Sequence, residues 1–139
     1  MNSLVPYLNF QGQAEEALSF YHSILGGTIH NIYVRDTPMA GELPPGLQDK
    51  IMHGRLVFRS GELAVTDMGR PEQFVGETRT YLLLECSSEQ EVLELYQKLS
   101  EGGEGVHAPE KTFWGAMYGD CWDRYGIRWM FNYQLSAPS

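Results

Sequence analysis

Two segments of the chain share one order of apolar and polar residues. The first, at 5–27, opens with V-P-Y-L-N-F, passes through the polar Q-G-Q, and then has apolar residues at helical spacing up to the glycine pair 26–27. The second, at 79–103, has Y-L-L-L, then S-S-E, then a helix-like segment that ends at the glycine pair 102–103. Each segment is therefore predicted to be a strand followed by an amphipathic helix, and either glycine pair can end its helix.

The two segments also match residue by residue. Tyr7 and Leu8 correspond to Tyr81 and Leu82. After one inserted residue, four apolar helix positions of the first copy meet four of the second: Ala17, Leu18, Tyr21 and Ile24 against Val92, Leu93, Tyr96 and Leu99. A tandem duplication explains this agreement, so the chain is predicted to be built from two related units.

Strand-like sequence follows each helix. In the first unit the predicted strands are 28–34, 52–58 and 62–67, the first two separated by a polar, proline-rich stretch at 35–50. In the second unit they are 104–109, 113–120 and 127–133, the last two joined by a turn at 123–126. The predicted fold class is α+β: two tandem βαβββ units form a curved mixed sheet with helices on one face and a cleft on the other.

The composition is that of one globular domain, predicted to span 1–139, with repeat units at about 1–70 and 76–139. A net charge of −8 with ten Lys and Arg argues against nucleic acid as a partner. No apolar run reaches the roughly 18 residues of a membrane helix, and the N-terminus lacks the features of a secretory signal, so no membrane partner and a cytoplasmic location are expected. Cys86 and Cys121 are far apart and are expected to be buried thiols.

Four short motifs carry a family resemblance. They are P-Y-L-x-F at 6–10, M-H-G at 52–54, F-W-G at 113–115 and D-x-Y-G-x-R-W at 123–129. With the paired βαβββ units, they resemble the vicinal oxygen chelate superfamily, which includes glyoxalase I, bleomycin-resistance proteins and extradiol dioxygenases. The chain looks most like the PhnB-like branch, sometimes labelled a demethylubiquinone methyltransferase-like domain, over nearly its whole length. This resemblance implies the fold, but the superfamily includes both metal-dependent enzymes and metal-free binding proteins.

Metalloenzymes of this superfamily take His, Gln or Glu ligands from the first and last strand of each unit. The corresponding positions here are assigned to Tyr7, Tyr81, Met130 and Val65, with Asp67 two residues further along the same strand face. These side chains make a poor site for a hard divalent ion. No cofactor and no metal site are therefore predicted, and a divalent metal is kept as the alternative.

Further cleft candidates come from residue chemistry. His53 could form a partial site or a general base with Asp67, or could be a structural histidine. Arg128 shares a face with Met130 by alternation and could bind a substrate carboxylate, or could be a solvated edge charge. Trp114 is a candidate cleft wall, because it and its neighbour on a strand must face opposite sides.

The remaining histidines are not candidates. His22 is expected to face solvent, and His30 and His107 are expected to be structural or surface residues.

Three functions stay open. The first is a small-molecule-binding homodimer of the bleomycin-resistance type, without a metal, whose aromatic residues suit flat or apolar ligands. The second is a divalent-metal-dependent lyase, isomerase or transferase that uses His53, Asp67 and Tyr7. The third is a structural or regulatory dimer without a ligand. Methyl transfer is the least supported activity, since no Gly-rich cofactor loop follows the first strand.

Overall fold

The order βαβββ occurs twice in the structure, a computed structural model that describes residues 3–69 and 78–135. Contacts group the chain into two compact units, 1–75 and 76–139. Each unit has its own four-stranded mixed sheet and one long helix, so the α+β class and the twofold βαβββ repeat are confirmed. The predicted boundary between the repeats lies outside the described residues.

In the first unit, the strand order is β1-β4-β3-β2, with β1 parallel to β4 and the other pairs antiparallel. Its elements are β1 (Tyr7–Asn9), α1 (Ala14–Leu25), β2 (Thr28–Tyr33), β3 (Ile51–Phe58) and β4 (Gly61–Thr66). The long connection before β3 holds three single 3₁₀ turns: Val34–Asp36, Ala40–Glu42 and Pro45–Leu47. The predicted strands of this unit agree with the observed ones to within one residue at each end.

The second unit repeats this topology with the order β5-β8-β7-β6. Its elements are β5 (Leu82–Glu85), α2 (Glu89–Ser100), β6 (Glu104–Lys111), β7 (Ala116–Trp122) and β8 (Arg128–Gln134). The prediction of a strand from residue 113 is wrong, because 113–115 form a turn closed by Thr112, whose hydroxyl accepts from the Ala116 amide at 3.1 Å. Gly115 takes a positive φ of 84° there, a conformation that strands do not use.

The two helices are capped in different ways. The Ser88 hydroxyl accepts a hydrogen bond from the Glu91 amide at 3.0 Å, while the Glu91 carboxylate accepts from the Ser87 amide at 2.7 Å. Both bonds join residues no more than four apart, so the cap of α2 is local, and the S-S-E-Q-E sequence supplies its side chains. In α1, Gln13 stands at the N-cap and makes no side-chain capping bond. Its cap is supplied from β4, as described below.

Gly54 in the M-H-G motif is required by close packing between α1 and the sheet. A Cβ built there would lie 2.6 Å from Asn31 Oδ1 and 3.0 Å from methyl carbons of Leu18 and Val65. We expect Gly54→Ala to lower the free energy of unfolding by about 1–3 kcal/mol, the usual cost of overpacking. Urea denaturation measures it. Gly46→Ala is the matched control, since nothing lies within 4 Å of its Cβ, and an equal effect of both substitutions would contradict this account.

Candidate functional site

Strand register decides which face of the second sheet each side chain occupies. Phe131 packs edge-on against Tyr96 of α2, with ring centroids 6.2 Å apart, and Trp129 is 1% exposed. Both therefore lie on the helix side. Alternation places Arg128 and Met130 on the opposite face, as predicted from the sequence.

Register also aligns the two repeats more accurately than sequence matching does. Leu8 pairs with Val65, and its repeat counterpart Leu82 pairs with Trp129. Val65 therefore corresponds to Trp129, and it is fully buried and close to Leu18 of α1.

The assignment of Val65 as the counterpart of Met130 is wrong by one residue. The register places Thr66 in that position, because Asn9 pairs with Thr66 as Leu83 pairs with Met130. A one-residue slip moves a side chain to the other face of a strand. Thr66 is no better a metal ligand, since its hydroxyl donates to the Met52 carbonyl at 2.7 Å.

Asp67 is the missing cap of α1. It is 5% exposed, and Oδ1 accepts from the amides of Gly12 at 2.8 Å and Ala14 at 2.9 Å. Oδ2 accepts from the Ile51 amide at 2.8 Å. The carboxylate thus ties the helix N-terminus to β3, where its charge also suits the helix dipole. The sequence made Asp67 a candidate for a substrate site or a general base, but both oxygens of its carboxylate accept hydrogen bonds from backbone amides.

Tyr7 and His53, which the metal-dependent hypothesis grouped with Asp67, are in contact in the first unit. The Tyr7 hydroxyl lies 3.2 Å from His53 Nδ1, and the rings are stacked with centroids 5.6 Å apart. Tyr7 and His53 bond to each other, and neither residue is bonded to Asp67.

The second unit contains a more developed group, which we call the Asp120 cluster: Asp120, Tyr118, His107 and Arg128. Asp120 is 2% exposed, and its carboxylate accepts from the Tyr118 hydroxyl and from Arg128 at 2.8 Å. His107 Nδ1 lies 2.9 and 3.0 Å from the two carboxylate oxygens. A buried charge with this many partners forms a preorganised polar site on the sheet face opposite α2.

Arg128 is held between two aromatic rings. Its guanidinium carbon lies 4.6 Å from the Tyr81 ring centroid and 5.1 Å from that of Trp122. Its side chain is 9% exposed, and Nε has no partner within residues 3–69 and 78–135. Cation–π contacts and the Asp120 ion pair offset the desolvation of this charge. Arg128 is thus a buried structural cation, and the prediction of a solvated edge charge is wrong.

These contacts set the protonation states. Burial alone raises the pKa of Asp120, but hydrogen bonds from Tyr118, His107 and Arg128 outweigh it, so the pKa lies below its usual value. Burial and the bond to Asp120 raise the pKa of the Tyr118 hydroxyl, which stays protonated.

The two cysteines are not reactive groups. Burial raises the pKa of Cys86 to about 11 and of Cys121 to about 12, so both thiols are neutral and unreactive at pH 7.

A pocket of about 370 Å³ adjoins the Asp120 cluster. We call it the aromatic pocket; its lining includes His107, Glu110, Lys111, Phe113, Trp114 and Tyr118. Trp114 lines this pocket from a turn, and not from the strand on which the sequence prediction placed it. Phe113 and Trp114 lie in the turn before β7, 98% and 55% exposed, with ring centroids 4.9 Å apart.

Three members of the Asp120 cluster were not among the candidates from the sequence: His107, Tyr118 and Asp120. The turn at 123–126 places Asp120 opposite Met130 and Tyr118 opposite Asn132. Extending the alternation from Met130 across this hairpin would have found both. His107 could not be found this way, because β6 is irregular on either side of it.

The positions that the family resemblance assigned to metal ligands do not fit a hard divalent ion. By register they are Tyr7, Thr66, Tyr81 and Met130. Within the described ranges no group of three or more His, Cys, Asp or Glu side chains could hold a metal. Likewise, no helix in those ranges is long and apolar enough to cross a membrane.

The same fold occurs in solved structures described as glyoxalase/bleomycin resistance/dioxygenase proteins. The one from Nocardioides is 18% identical with a TM-score of 0.57, over 100% of this chain and 88% of that one, and the one from Burkholderia phytofirmans PsJN is 14% identical with a TM-score of 0.59, over 96% and 100%. Residues 2–132 match the model of the family described as 3-demethylubiquinone-9 3-methyltransferase, and the chain belongs to that family.

Individual relatives agree over nearly the whole chain. The crystal structure of PA1353 from Pseudomonas aeruginosa shares 36% identity with a TM-score of 0.83, over 98% of this chain and 100% of that one. The PhnB protein of Bacillus cereus shares 22% with a TM-score of 0.75, over 95% and 99%. Protein YjdN of Escherichia coli (strain K12) is 24% identical over 145 residues, 98% of each chain.

Proposed function

We propose that this protein binds a small planar molecule in the aromatic pocket of its second unit, without a metal ion. The observation that carries the proposal is the exposure of Phe113 and Trp114, 98% and 55%, at the rim of a pocket that also contains Tyr118. Exposed aromatic rings beside a concave surface are typical of ligand sites. The Asp120 cluster holds the adjoining strands in place and so keeps the pocket formed before a ligand arrives.

The alternative, a divalent-metal-dependent lyase, isomerase or transferase, needs ligands that Tyr7, Thr66, Tyr81 and Met130 do not supply. The Tyr7–His53 pair offers one nitrogen donor, and the Asp67 oxygens are bonded to three amides. A homodimer remains the prediction drawn from the resemblance, and light scattering of the purified protein measures it. A cytoplasmic location remains the expectation drawn from the N-terminal sequence.

Thermal shift tests the binding proposal. A ligand that binds only the folded protein raises Tm as its concentration passes Kd, so we expect members of a panel of planar aromatic compounds to raise it. Trp114→Ala should weaken that binding by about tenfold or more, since stacking on an aromatic ring contributes about 0.5–1.5 kcal/mol beyond its buried area. Leu93→Ala is the control: Leu93 is 42% exposed on α2, away from the pocket lining.

The same assay separates the two functions. Nickel, manganese, zinc and iron(II) should leave Tm of tag-free protein unchanged. A metal-dependent rise in Tm, together with no response to the aromatic panel, would overturn the proposal in favour of the metal-dependent alternative.

A further inference from the structure

We propose that His107 is a general base toward the molecule in the aromatic pocket, oriented by Asp120, and that this molecule is a planar compound with an acidic hydroxyl group, such as a phenol or an enol. The inference rests on the proposed function, because it requires a ligand in that pocket. It adds a chemical class of ligand and a proton transfer, which binding alone does not involve.

The hydrogen bond to Asp120 fixes the tautomer of His107. Asp120 is ionised and can only accept, and His107 Nδ1 lies within 3.0 Å of both carboxylate oxygens. Nδ1 must therefore carry the hydrogen. In the neutral imidazole this leaves the Nε2 lone pair available as a proton acceptor.

The His107 side chain is exposed beside the pocket. It is 67% exposed and lines the aromatic pocket, and within the described residues Nε2 has no hydrogen-bond partner. His53 and His22 also have one ring nitrogen engaged each, by the Tyr7 hydroxyl and by the Gly27 carbonyl, but neither of them lines this pocket. Geometry within reach of the proton is the first requirement for a general base.

The proton transfer is balanced by the surrounding charges. The ligand O–H bond breaks, an N–H bond forms at His107 Nε2, and the electron pair stays on the ligand oxygen. The imidazolium is stabilised by the Asp120 carboxylate, which Arg128 and Tyr118 also contact. The ligand anion is favoured by Lys111 in the pocket lining and disfavoured by Glu110 there. Lys111 is also 3.8 Å from Glu89 of α2.

The ligand class follows from the rest of the lining. Phe113 and Trp114 present ring surfaces on which a flat ring can stack, beside the acceptor at His107. A phenol or an enol has both features: a flat conjugated system that can stack, and a hydroxyl proton acidic enough for an imidazole to accept.

The test uses 4-nitrophenol, whose neutral and ionised forms absorb at different wavelengths, at a pH where the free compound is mostly neutral. With protein in excess, we expect the bound compound to show the absorption of the phenolate. His107→Gln should lower the ionised fraction of the bound compound, compared at saturating protein with the occupancy followed by tryptophan fluorescence. The expected ratio change is about tenfold or more, equal to at least one unit in the ligand's pKa. His22→Gln is the control and should change neither property.

A second probe separates the inference from the proposed function. The methyl ether 4-nitroanisole has the same flat ring but no proton to transfer, so it should bind without a phenolate band. If the wild-type protein binds neither probe, the proposed function and the inference both fail. If it binds both but shows no phenolate band, or if the band is unchanged in His107→Gln, the inference fails and the proposed function stands.

Discussion

Replacing Asp67 with alanine should lower the free energy of unfolding by about 3–5 kcal/mol. The substitution removes the acceptor from three amides, those of Gly12, Ala14 and Ile51. Each unsatisfied buried donor costs about 1–3 kcal/mol, and the loss of a helix cap alone costs about 0.5–2 kcal/mol. The three bonds share one carboxylate, so their costs do not add in full. Chemical denaturation followed by circular dichroism measures the change.

Two controls show whether the effect belongs to this carboxylate. Ser88→Ala removes a single local cap from α2 and should cost about 1 kcal/mol. Asp36→Ala removes an exposed aspartate and should be near neutral. If Asp67→Ala costs no more than Ser88→Ala, the tie between α1 and β3 is not the stabilising contact that the geometry indicates.

Replacing Asp120 with asparagine should also cost about 3–5 kcal/mol, the usual penalty for breaking a buried ion pair. The change keeps the shape but leaves the Arg128 guanidinium, 9% exposed, without its counter-ion. The asparagine amide has one acceptor oxygen instead of two, so it cannot accept all the hydrogen bonds that Arg128, Tyr118 and His107 donate to Asp120. The double substitution Asp120→Leu with Arg128→Met should be less destabilising than Asp120→Asn, because no charge is then left buried and unpaired.

The exposed pair Arg35–Asp49 is the control. Its side chains are 47% and 90% exposed, so Asp49→Asn should change stability by less than about 1 kcal/mol. Equal effects of Asp49→Asn and Asp120→Asn would show that the buried pair contributes no more than a surface one.

The Asp120 pair also gives stability a pH dependence of defined sign. The pKa of Asp120 is lower in the folded protein than in the unfolded chain, where it is about 3.9. Its contribution is therefore present above that unfolded value and is lost as pH falls through the lower folded value. Asp120→Asn should show a smaller loss of stability over this acid range than the wild type, and identical acid profiles would contradict the assignment.

Much of the fold was predictable because its signals are local. Apolar spacing and glycine pairs located both helices, and the S-S-E-Q-E sequence carries the cap of α2 in neighbouring residues. The start of α1 has no such signal, because its cap is Asp67, more than 50 residues further along the chain. The predicted strand at 113–120 began too early, because two aromatic residues resemble a strand even when a turn exposes both.

The site was predictable only in part. Alternation placed Arg128 and Met130 on one face, and Tyr81 was selected through the repeat. Their partners were missed, since Asp120 and Tyr118 depend on the register of β7 with β8, and His107 depends on that of β6 with β7. Matching repeats by sequence also slipped by one residue at Val65, which register corrects to Thr66.

The sequence by itself determined the repeated βαβββ order and the family, because these depend on residue type and local spacing. Only the tertiary structure decided that Asp67 is a helix cap, that Arg128 is a buried cation between Tyr81 and Trp122, and that Asp120 orients His107. The physical reason is that a carboxylate takes its role from the donors that surround it, and strand pairing brings those donors from distant parts of the chain.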